Sequence, residues 1–182
     1  MHEIKLTDDK PIRQRIRTIP DSCREEVKKL LDEKLRAGII RDSKSSWCSP
    51  LNLVKKPNGK IRITVDYRKL NERTVKDAYL LSGINQLFRL LAAAVYFTKL
   101  DLTSGYYQIK MDLRSTFLTA FACEFGFYEY LNMPMGLRNA VATFQRMMDK
   151  ILEGLIGVVC LVYLDNILIF SKTLKEHVIN VQ

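Results

Sequence analysis

The chain has 182 residues, of which 47% are hydrophobic and 27% charged, the proportions of a folded globular domain and not of a disordered segment. Its 29 lysines and arginines outnumber 20 acidic residues, and this formal net charge of +9 favours a polyanionic partner. The longest apolar or glycine run, 154–164, is too short to span a bilayer, and the N-terminus has no secretion signal. We therefore expect no membrane span and an intracellular location, cytoplasmic or nuclear.

Cysteine and histidine are scarce and scattered along the chain. No pair of them has metal-ligand spacing, so the sequence predicts free thiols and no structural zinc site. The scarcity also argues against Ser-His or Cys-His catalysis, because a histidine base would have to come from one end of the chain. Any chemistry would depend on carboxylates, lysines and arginines. The residues concerned are Cys23, Cys48, Cys123, Cys160, His2 and His177.

The N-terminal part of the sequence predicts a basic arm followed by a helix. Residues 1–19 are polar and basic, with Arg13, Arg15 and Arg17 alternating with less charged neighbours, and we interpret them as an extended arm. Ser22 and Glu25 have the spacing of a capping box for an amphipathic helix over roughly 23–37. Gly38 is suited to the C-terminal end of that helix.

Further along the chain, strand and helix patterns follow one another without strict alternation. This mixture predicts an α+β fold with an antiparallel sheet packed on helices. The predicted elements are strands at 51–55 and 61–66 joined by an Asn-Gly turn, a helix at 83–92, a buried strand at 95–100, strands at 117–123 and 127–132, a helix at 138–153, and strands at 158–163 and 167–170.

Two aspartates stand out because hydrophobic strands lead directly to them. Asp101 follows one apolar run, and Asp165 lies between two others at the tip of a predicted hairpin. Either one alone would be most simply a structural aspartate at a strand end or turn. Together, on strands that could be neighbours, they indicate paired carboxylates that hold Mg²⁺ for phosphoryl or nucleotidyl transfer.

Five motifs occur in the order seen in reverse transcriptases, and the chain most resembles those of gypsy-type LTR retrotransposons over about residues 20–180. The resemblance implies the fingers and palm of a right-hand polymerase over 20–182, after the arm at 1–19. It also implies that the thumb and RNase H regions are absent from this chain. The motifs begin at Val65 (VDYRKLN), Leu100 (LDLTSGYYQI), Met133 (MPMGL), Ala142 (ATFQ) and Tyr163 (YLDNILIFS).

The resemblance implies a role for each matching residue. Asp101, Asp165 and the carbonyl of Leu102 would hold Mg²⁺, with Mn²⁺ as a substitute, and the partners would be an RNA or DNA template-primer and a dNTP. Tyr106 would exclude the sugar 2′-hydroxyl, although core packing is an alternative role. Lys55, Lys56 and Arg62, on a hairpin that could also be merely solvated, would contact the incoming triphosphate. Met135 and Gly136 would lie beside the nascent base pair, and Gln145 near the template.

The sequence departs from the family pattern at several positions. Asn166 stands where a third catalytic aspartate is usual, which lowers the formal charge of the site from −3 to −2. Tyr79-Leu80-Leu81-Ser82 stands where the family usually has Tyr-Pro-Leu-Pro, and Asn139-Ala140-Val141 where it has Asn-Ala-Pro. Leu118 stands where a basic residue is usual. We expect an RNA-directed DNA polymerase that is truncated and weakened, with a partner or further region supplying the thumb. The alternatives are an inactive nucleic-acid-binding module and a decayed remnant.

Overall fold

The computed structural model describes residues 1–79, 91–163 and 165–182. These residues form two compact units, one of residues 1–76 and 106–140, and the other of 77–105 and 141–182. In chain order the elements are α1 (Arg24–Arg36), β1 (Ile40–Asp42), β2 (Ser49–Lys55), β3 (Ile61–Val65), α2 (Arg68–Glu72), β4 (Tyr96–Asp101), β5 (Phe121–Cys123), β6 (Gly126–Tyr130), α3 (Ala140–Ile151), β7 (Cys160–Tyr163), β8 (Asn166–Ser171) and α4 (Leu174–Val181).

The first unit is built on a five-stranded sheet of order β1-β6-β5-β2-β3. All neighbouring strands are antiparallel except β2 and β5, which are parallel. Tyr67 is fully buried, and its hydroxyl donates a hydrogen bond to the carbonyl of Thr119 at 2.8 Å. Burial raises the pKa of this tyrosine well above its ordinary value, so the phenol stays neutral and its donor is satisfied.

Residues 1–19 belong to the first unit and are joined to the rest of it by isolated β-bridges. Backbone hydrogen bonds join His2 to Lys110, Thr7 to Arg73 and Gln14 to Cys48, at 2.8–2.9 Å. Ile4 and Ile19 are buried. The domain boundary that we expect after residue 19 stays a prediction.

The second unit contains a three-stranded antiparallel sheet of order β4-β8-β7. On β7, Cys160, Leu161 and Val162 are buried, as are Phe144 and Met148 of α3. The α+β class and the antiparallel sheet of the predicted palm are therefore confirmed. No helix in the described part of the chain is long and apolar enough to cross a membrane.

Several details differ from the sequence predictions. The strand expected from 117 begins only at Phe121, because Thr116–Thr119 form a 3-10 helix. The expected capping box at α1 is absent: the N-cap is Cys23, and its side chain makes no capping hydrogen bond. The strand expected to be buried, β4, is largely exposed and lies at an edge of the sheet that the described residues form. The predicted helix at 83–92 lies almost entirely outside the described residues.

Candidate metal and substrate site

The three-stranded sheet brings the predicted catalytic positions together. In the antiparallel register, Asp101 at the end of β4 is directly opposite Asn166 at the start of β8. Asn166 in turn pairs with Tyr163 of β7. Asp165 lies in the turn between β7 and β8, so both predicted carboxylates and Asn166 occupy one end of the sheet.

Two hydrogen bonds organise the turn at this end of the sheet. The backbone N–H of Leu102 donates to the carbonyl of Asp165 at 3.2 Å, which links the chain beyond β4 to the hairpin tip. The side-chain amide of Asn166 donates to the Asp165 carboxylate, also at 3.2 Å. Asn166 therefore supports the carboxylate of Asp165 through a neutral donor, where a second carboxylate would repel it.

The segment after Asp101 turns sharply. Ser104 has a φ of +53°, a left-handed conformation that is unusual for a residue with a side chain. A Cβ on Gly105 would lie only 3.0 Å from the ring of buried Phe144. Gly105 also donates a backbone hydrogen bond to the Leu102 carbonyl at 3.1 Å. Backbone strain and a close approach thus fix the Leu102 carbonyl beside Asp101, as is common at functional sites.

The donor set at this end of the sheet fits a hard divalent cation. Asp101 is exposed and Asp165 partly exposed, and the Leu102 carbonyl keeps a second lone pair beside the one that Gly105 uses. Oxygen donors of this kind suit Mg²⁺ or Mn²⁺. Among the described residues there is no cluster of three or more metal-ligating His, Cys, Asp or Glu side chains. Two carboxylates and one carbonyl are therefore what these positions offer.

The basic residues predicted to contact a triphosphate lie on the β2–β3 hairpin of the first unit. Lys55 pairs with Ile61 and Val54 with Arg62, and Gly59 has the positive φ, +80°, that the predicted tight turn requires. Lys55, Lys56 and Arg62 are all exposed. In the described part of the chain none of the three forms an ion pair, so all three cations are available to an anionic ligand.

The loop that carries Met135 and Gly136 is held by the side chain of Asn71, for which sequence analysis predicts no role. The Asn71 amide donates to the carbonyl of Gly136 at 2.8 Å, and its oxygen accepts from the backbone N–H of Arg138 at 2.8 Å. Gly136 has a φ of +94°, and Met135 is 36% exposed. Tyr106, also of the first unit, lies partly exposed in a 3-10 turn. Asn71 is the last residue of the VDYRKLN motif, and its place in that motif is the sequence feature that could have indicated a role for it.

Asp66, in the same motif, is the centre of a charge cluster. Arg68 donates to its carboxylate at 2.8 and 2.9 Å, and Arg17 donates at 2.6 Å. These hydrogen bonds, that of Arg68 above all, hold the pKa of Asp66 well below its usual range. A cavity of about 340 Å³ lies beside the cluster, and Asn71 and Gly136 also line it.

Gln145 is buried on α3 of the second unit. Its amide donates to the Asp149 carboxylate at 2.8 Å, and the hydroxyl of Tyr79 donates to the other oxygen of that carboxylate. The hydrogen bond with Asp149 raises the pKa of Tyr79. The structure thus places the predicted template-proximal glutamine in an internal hydrogen-bond network of the second unit.

Comparisons with known proteins identify the family of this chain. The family model "Reverse transcriptase (RNA-dependent DNA polymerase)" matches residues 54–182. The chain belongs to the reverse transcriptase family. It is 44% identical over 100% of its length to the Pol polyprotein of transposon 297, and 38% identical over 96% to that of transposon gypsy, both from Drosophila melanogaster. It spans 18% of the length of each of these relatives.

A viral relative and two solved structures are also similar to this chain. The enzymatic polyprotein of Cauliflower mosaic virus (strain Strasbourg) is 37% identical over 98% of this chain and 27% of its own length. The crystal structure of the prototype foamy virus protease-reverse transcriptase superposes with a TM-score of 0.84 at 28% identity, covering 96% of this chain and 24% of that one. A foamy viral protease-reverse transcriptase solved with RNA/DNA hybrid, at 24% identity and a TM-score of 0.81 over 94% of this chain and 23% of that one, shares the fold.

Proposed function

We propose that this chain forms the fingers and palm of an RNA-directed DNA polymerase, which transfers a nucleotide from a dNTP to a primer 3′-hydroxyl. The register that sets Asp101 opposite Asn166, with Asp165 in the adjoining turn, carries the proposal. Asp101, Asp165 and the Leu102 carbonyl would hold Mg²⁺ or Mn²⁺. The bound ions would stabilise the negative charge that develops on the reacting oxygens.

The other residues bind and orient the substrates in this proposal. Lys55, Lys56 and Arg62 contact the triphosphate, because exposed cations without ion-pair partners in the described chain can form charge-assisted hydrogen bonds to phosphate. Tyr106 closes the space beside the sugar 2′ position. Met135 and Gly136 lie beside the nascent base pair, and Gln145 lies near the template strand.

A second candidate function is a nucleic-acid-binding module without catalysis. The amide of Asn166 favours it, because this side chain brings no charge to the cation site and already donates to Asp165. Template-primer duplex would still bind through phosphates in this case, and divalent cation would bind weakly. The two functions therefore differ in metal affinity and chemistry and not in nucleic-acid binding.

Primer extension separates the two candidate functions. The chain should be assayed alone and fused to the thumb of a gypsy-type relative, on RNA and DNA templates, with Mg²⁺ or Mn²⁺. Extension by the fusion that Asp101→Asn abolishes would support the polymerase. Duplex binding without extension in any of these conditions, including in the Asn166→Asp variant, would contradict the polymerase and support the binding module.

The role of the hairpin is tested by comparing two substitutions on it. Arg62→Ala should weaken dNTP binding by about tenfold or more while duplex binding changes little, because a charge-assisted contact to phosphate is lost. Lys60→Ala, at an exposed position of the same hairpin, is the matched control. Equal losses for dNTP and duplex in titrations of Arg62→Ala would contradict the assignment.

A further inference from the structure

Helix α4 contacts the three-stranded sheet through His177 and Asn180, and the His177 ring also lies 6.1 Å from the ring of Tyr96 on β4. His177 is the buried residue of this helix, at 9% exposure. Its Nε2 lies 2.8 Å from the Thr98 hydroxyl on β4, and its Nδ1 lies 3.1 Å from the Ser171 hydroxyl on β8. Asn180, one turn further along α4, donates to the same Ser171 oxygen at 2.9 Å. The imidazole therefore bridges the two strands that carry Asp101 and Asn166.

The hydrogen bonds in this network are mutually consistent. Ser171 accepts from Asn180 and has its own hydroxyl hydrogen left to donate to Nδ1 of His177. A neutral ring that carries its proton on Nε2 then donates to Thr98. Both ring nitrogens of His177 and the Ser171 hydroxyl therefore have partners, which a buried network requires if it is to stabilise a single arrangement.

The apolar side chains of α4 are largely exposed, so their burial contributes little to holding this helix on the sheet. Leu174, Val178 and Val181 follow helical spacing and are 58%, 54% and 42% exposed. The start of α4 is fixed by a capping box, in which Thr173 and Glu176 exchange hydrogen bonds. The orientation that turns His177 toward the sheet therefore comes from the cap and the hydrogen bonds.

The register of β4 needs such a support. This strand pairs with β8 alone in the described sheet, and five of its six residues are exposed. Burial, which usually fixes strand register, therefore contributes little to β4. A shift of one residue would turn Thr98 to the other face, away from His177, and would also move Asp101 out of its place opposite Asn166.

We propose that His177 is a positioning residue that sets the register of β4 against β8 and so places Asp101 opposite Asn166. The register itself is a property of the fold, and its importance for catalysis rests on the proposed polymerase function. The bridge acts at Thr98, three residues before Asp101, and without contact to a substrate. Nothing in the nucleotide chemistry has to be assumed for the bridge to be tested.

The test uses a near-isosteric pair of substitutions on β4 and one substitution on α4. Thr98→Val removes the hydroxyl at nearly constant volume, Thr98→Ser retains it, and His177→Gln replaces the ring. Register is measured by NMR, through cross-strand proton contacts between Thr98 and Ile169 and between Leu100 and Ile167, and by amide exchange. We expect Thr98→Val and His177→Gln to weaken these contacts and to accelerate exchange in β4 by about tenfold, with β7 unchanged, and Thr98→Ser to resemble the unmodified chain.

The outcomes separate this inference from the proposed function. Unchanged contacts and exchange in Thr98→Val would overturn it, and so would equal acceleration in β4 and β7, which would indicate general loosening. If His177→Gln does not fold, the comparison of Thr98→Val with Thr98→Ser still tests the inference. Mn²⁺ affinity is measured on the same proteins: a loss in Thr98→Val with recovery in Thr98→Ser connects register to the cation site. If the register changes in Thr98→Val while the unmodified chain binds no Mn²⁺, the inference about His177 stands and the proposed function fails.

Discussion

At the scale of single residues, Asn166 decides the charge of the candidate cation site. Its amide is nearly isosteric with the carboxylate that the family pattern has there, and it donates to Asp165 at 3.2 Å. An aspartate at this position would put a third negative charge beside Asp165 and opposite Asp101. The amide therefore stabilises the cation-free arrangement, and a carboxylate would bind a cation more tightly.

Asn166→Asp should strengthen cation binding and weaken the cation-free fold. Without divalent cation, we expect the variant to be less stable by about 1 kcal/mol, because one hydrogen bond is replaced by like-charge repulsion. Adding Mg²⁺ or Mn²⁺ should raise its melting temperature more than that of the unmodified chain. In the thumb fusion, the variant should also extend primers faster.

Asn166→Ala is the control, because it removes the same hydrogen bond without adding charge. It should lose stability, and cation should raise its melting temperature no more than that of the unmodified chain. If Asn166→Asp gains neither cation affinity nor extension, another position limits the site, and the binding-module function is favoured.

Asn71 acts on the loop of Met135 and Gly136 through two separable hydrogen bonds. Asn71→Ala removes both and should lower the free energy of unfolding by about 1–3 kcal/mol. Asn71→Asp retains the acceptor for the Arg138 N–H and loses only the donor to Gly136. Amide exchange should therefore show Arg138 protected in the aspartate variant and unprotected in the alanine variant. Equal protection in both would contradict this role for Asn71.

At the scale of secondary structure, sequence periodicity predicts the elements that bury a face and misses those that do not. Helix α1 buries Val27 and Leu31 and is predicted within a residue or two. Helix α4 escapes prediction because its buried face carries His177 and Asn180, although the Thr173-x-x-Glu176 capping box signals its start. Burial of β4 is predicted wrongly, because an apolar run does not reveal that its strand is at an edge.

Sequence patterns likewise predict only part of the candidate site. Motif spacing predicts Asp101 and Asp165 at one end of a sheet, and the structure places both there. The supporting contacts are not predictable from spacing. The Asn71 contacts with Gly136 and Arg138 span 65 and 67 positions, and the His177 contact with Thr98 spans 79, so only the folded chain brings these partners together.

The Asp66 cluster connects three elements and predicts a pH dependence. Asp66 follows β3, Arg68 begins α2 and Arg17 belongs to the N-terminal segment. Because the pKa of Asp66 is lower in the folded chain than in the unfolded one, its stabilising effect is present above about pH 4. That effect is lost as the pH falls from about 4 toward the folded value.

Asp66→Asn should accordingly be less stable than the unmodified chain at pH 7, with the difference shrinking as the pH falls below about 4. Urea denaturation of both proteins at pH 7 and at pH 3 measures the difference in their free energies of unfolding at each pH. Asp9→Asn, at an exposed position, is the control and should show little difference at either pH. A stability difference for Asp66→Asn that stays constant over this pH range would contradict the charge argument.

At the scale of the whole molecule, the formal net charge of +9 predicts how nucleic acid binds. Template-primer duplex should bind without sequence preference, because cations contact phosphates and leave the bases unread. Lys55 and Lys56 on the hairpin and Lys28 and Lys29 on α1 are two exposed pairs of equal charge. Comparing variants of the two pairs distinguishes specific phosphate contacts from the general attraction of nucleic acid to a basic protein.

Duplex affinity should fall steeply as salt rises, with a slope of about −0.7 to −0.9 in log-log form for each phosphate contacted. If Lys55 and Lys56 contact duplex phosphates when no dNTP is bound, replacing both by Gln should reduce the magnitude of the slope by about one to two units, because fewer counterions are released. Replacing both Lys28 and Lys29 by Gln lowers the net charge equally and should leave the slope nearly unchanged. Fluorescence anisotropy titrations at several salt concentrations measure all three proteins. An affinity insensitive to salt would contradict phosphate binding altogether, and equal slope changes in the two double variants would show that net charge and not the hairpin attracts the duplex.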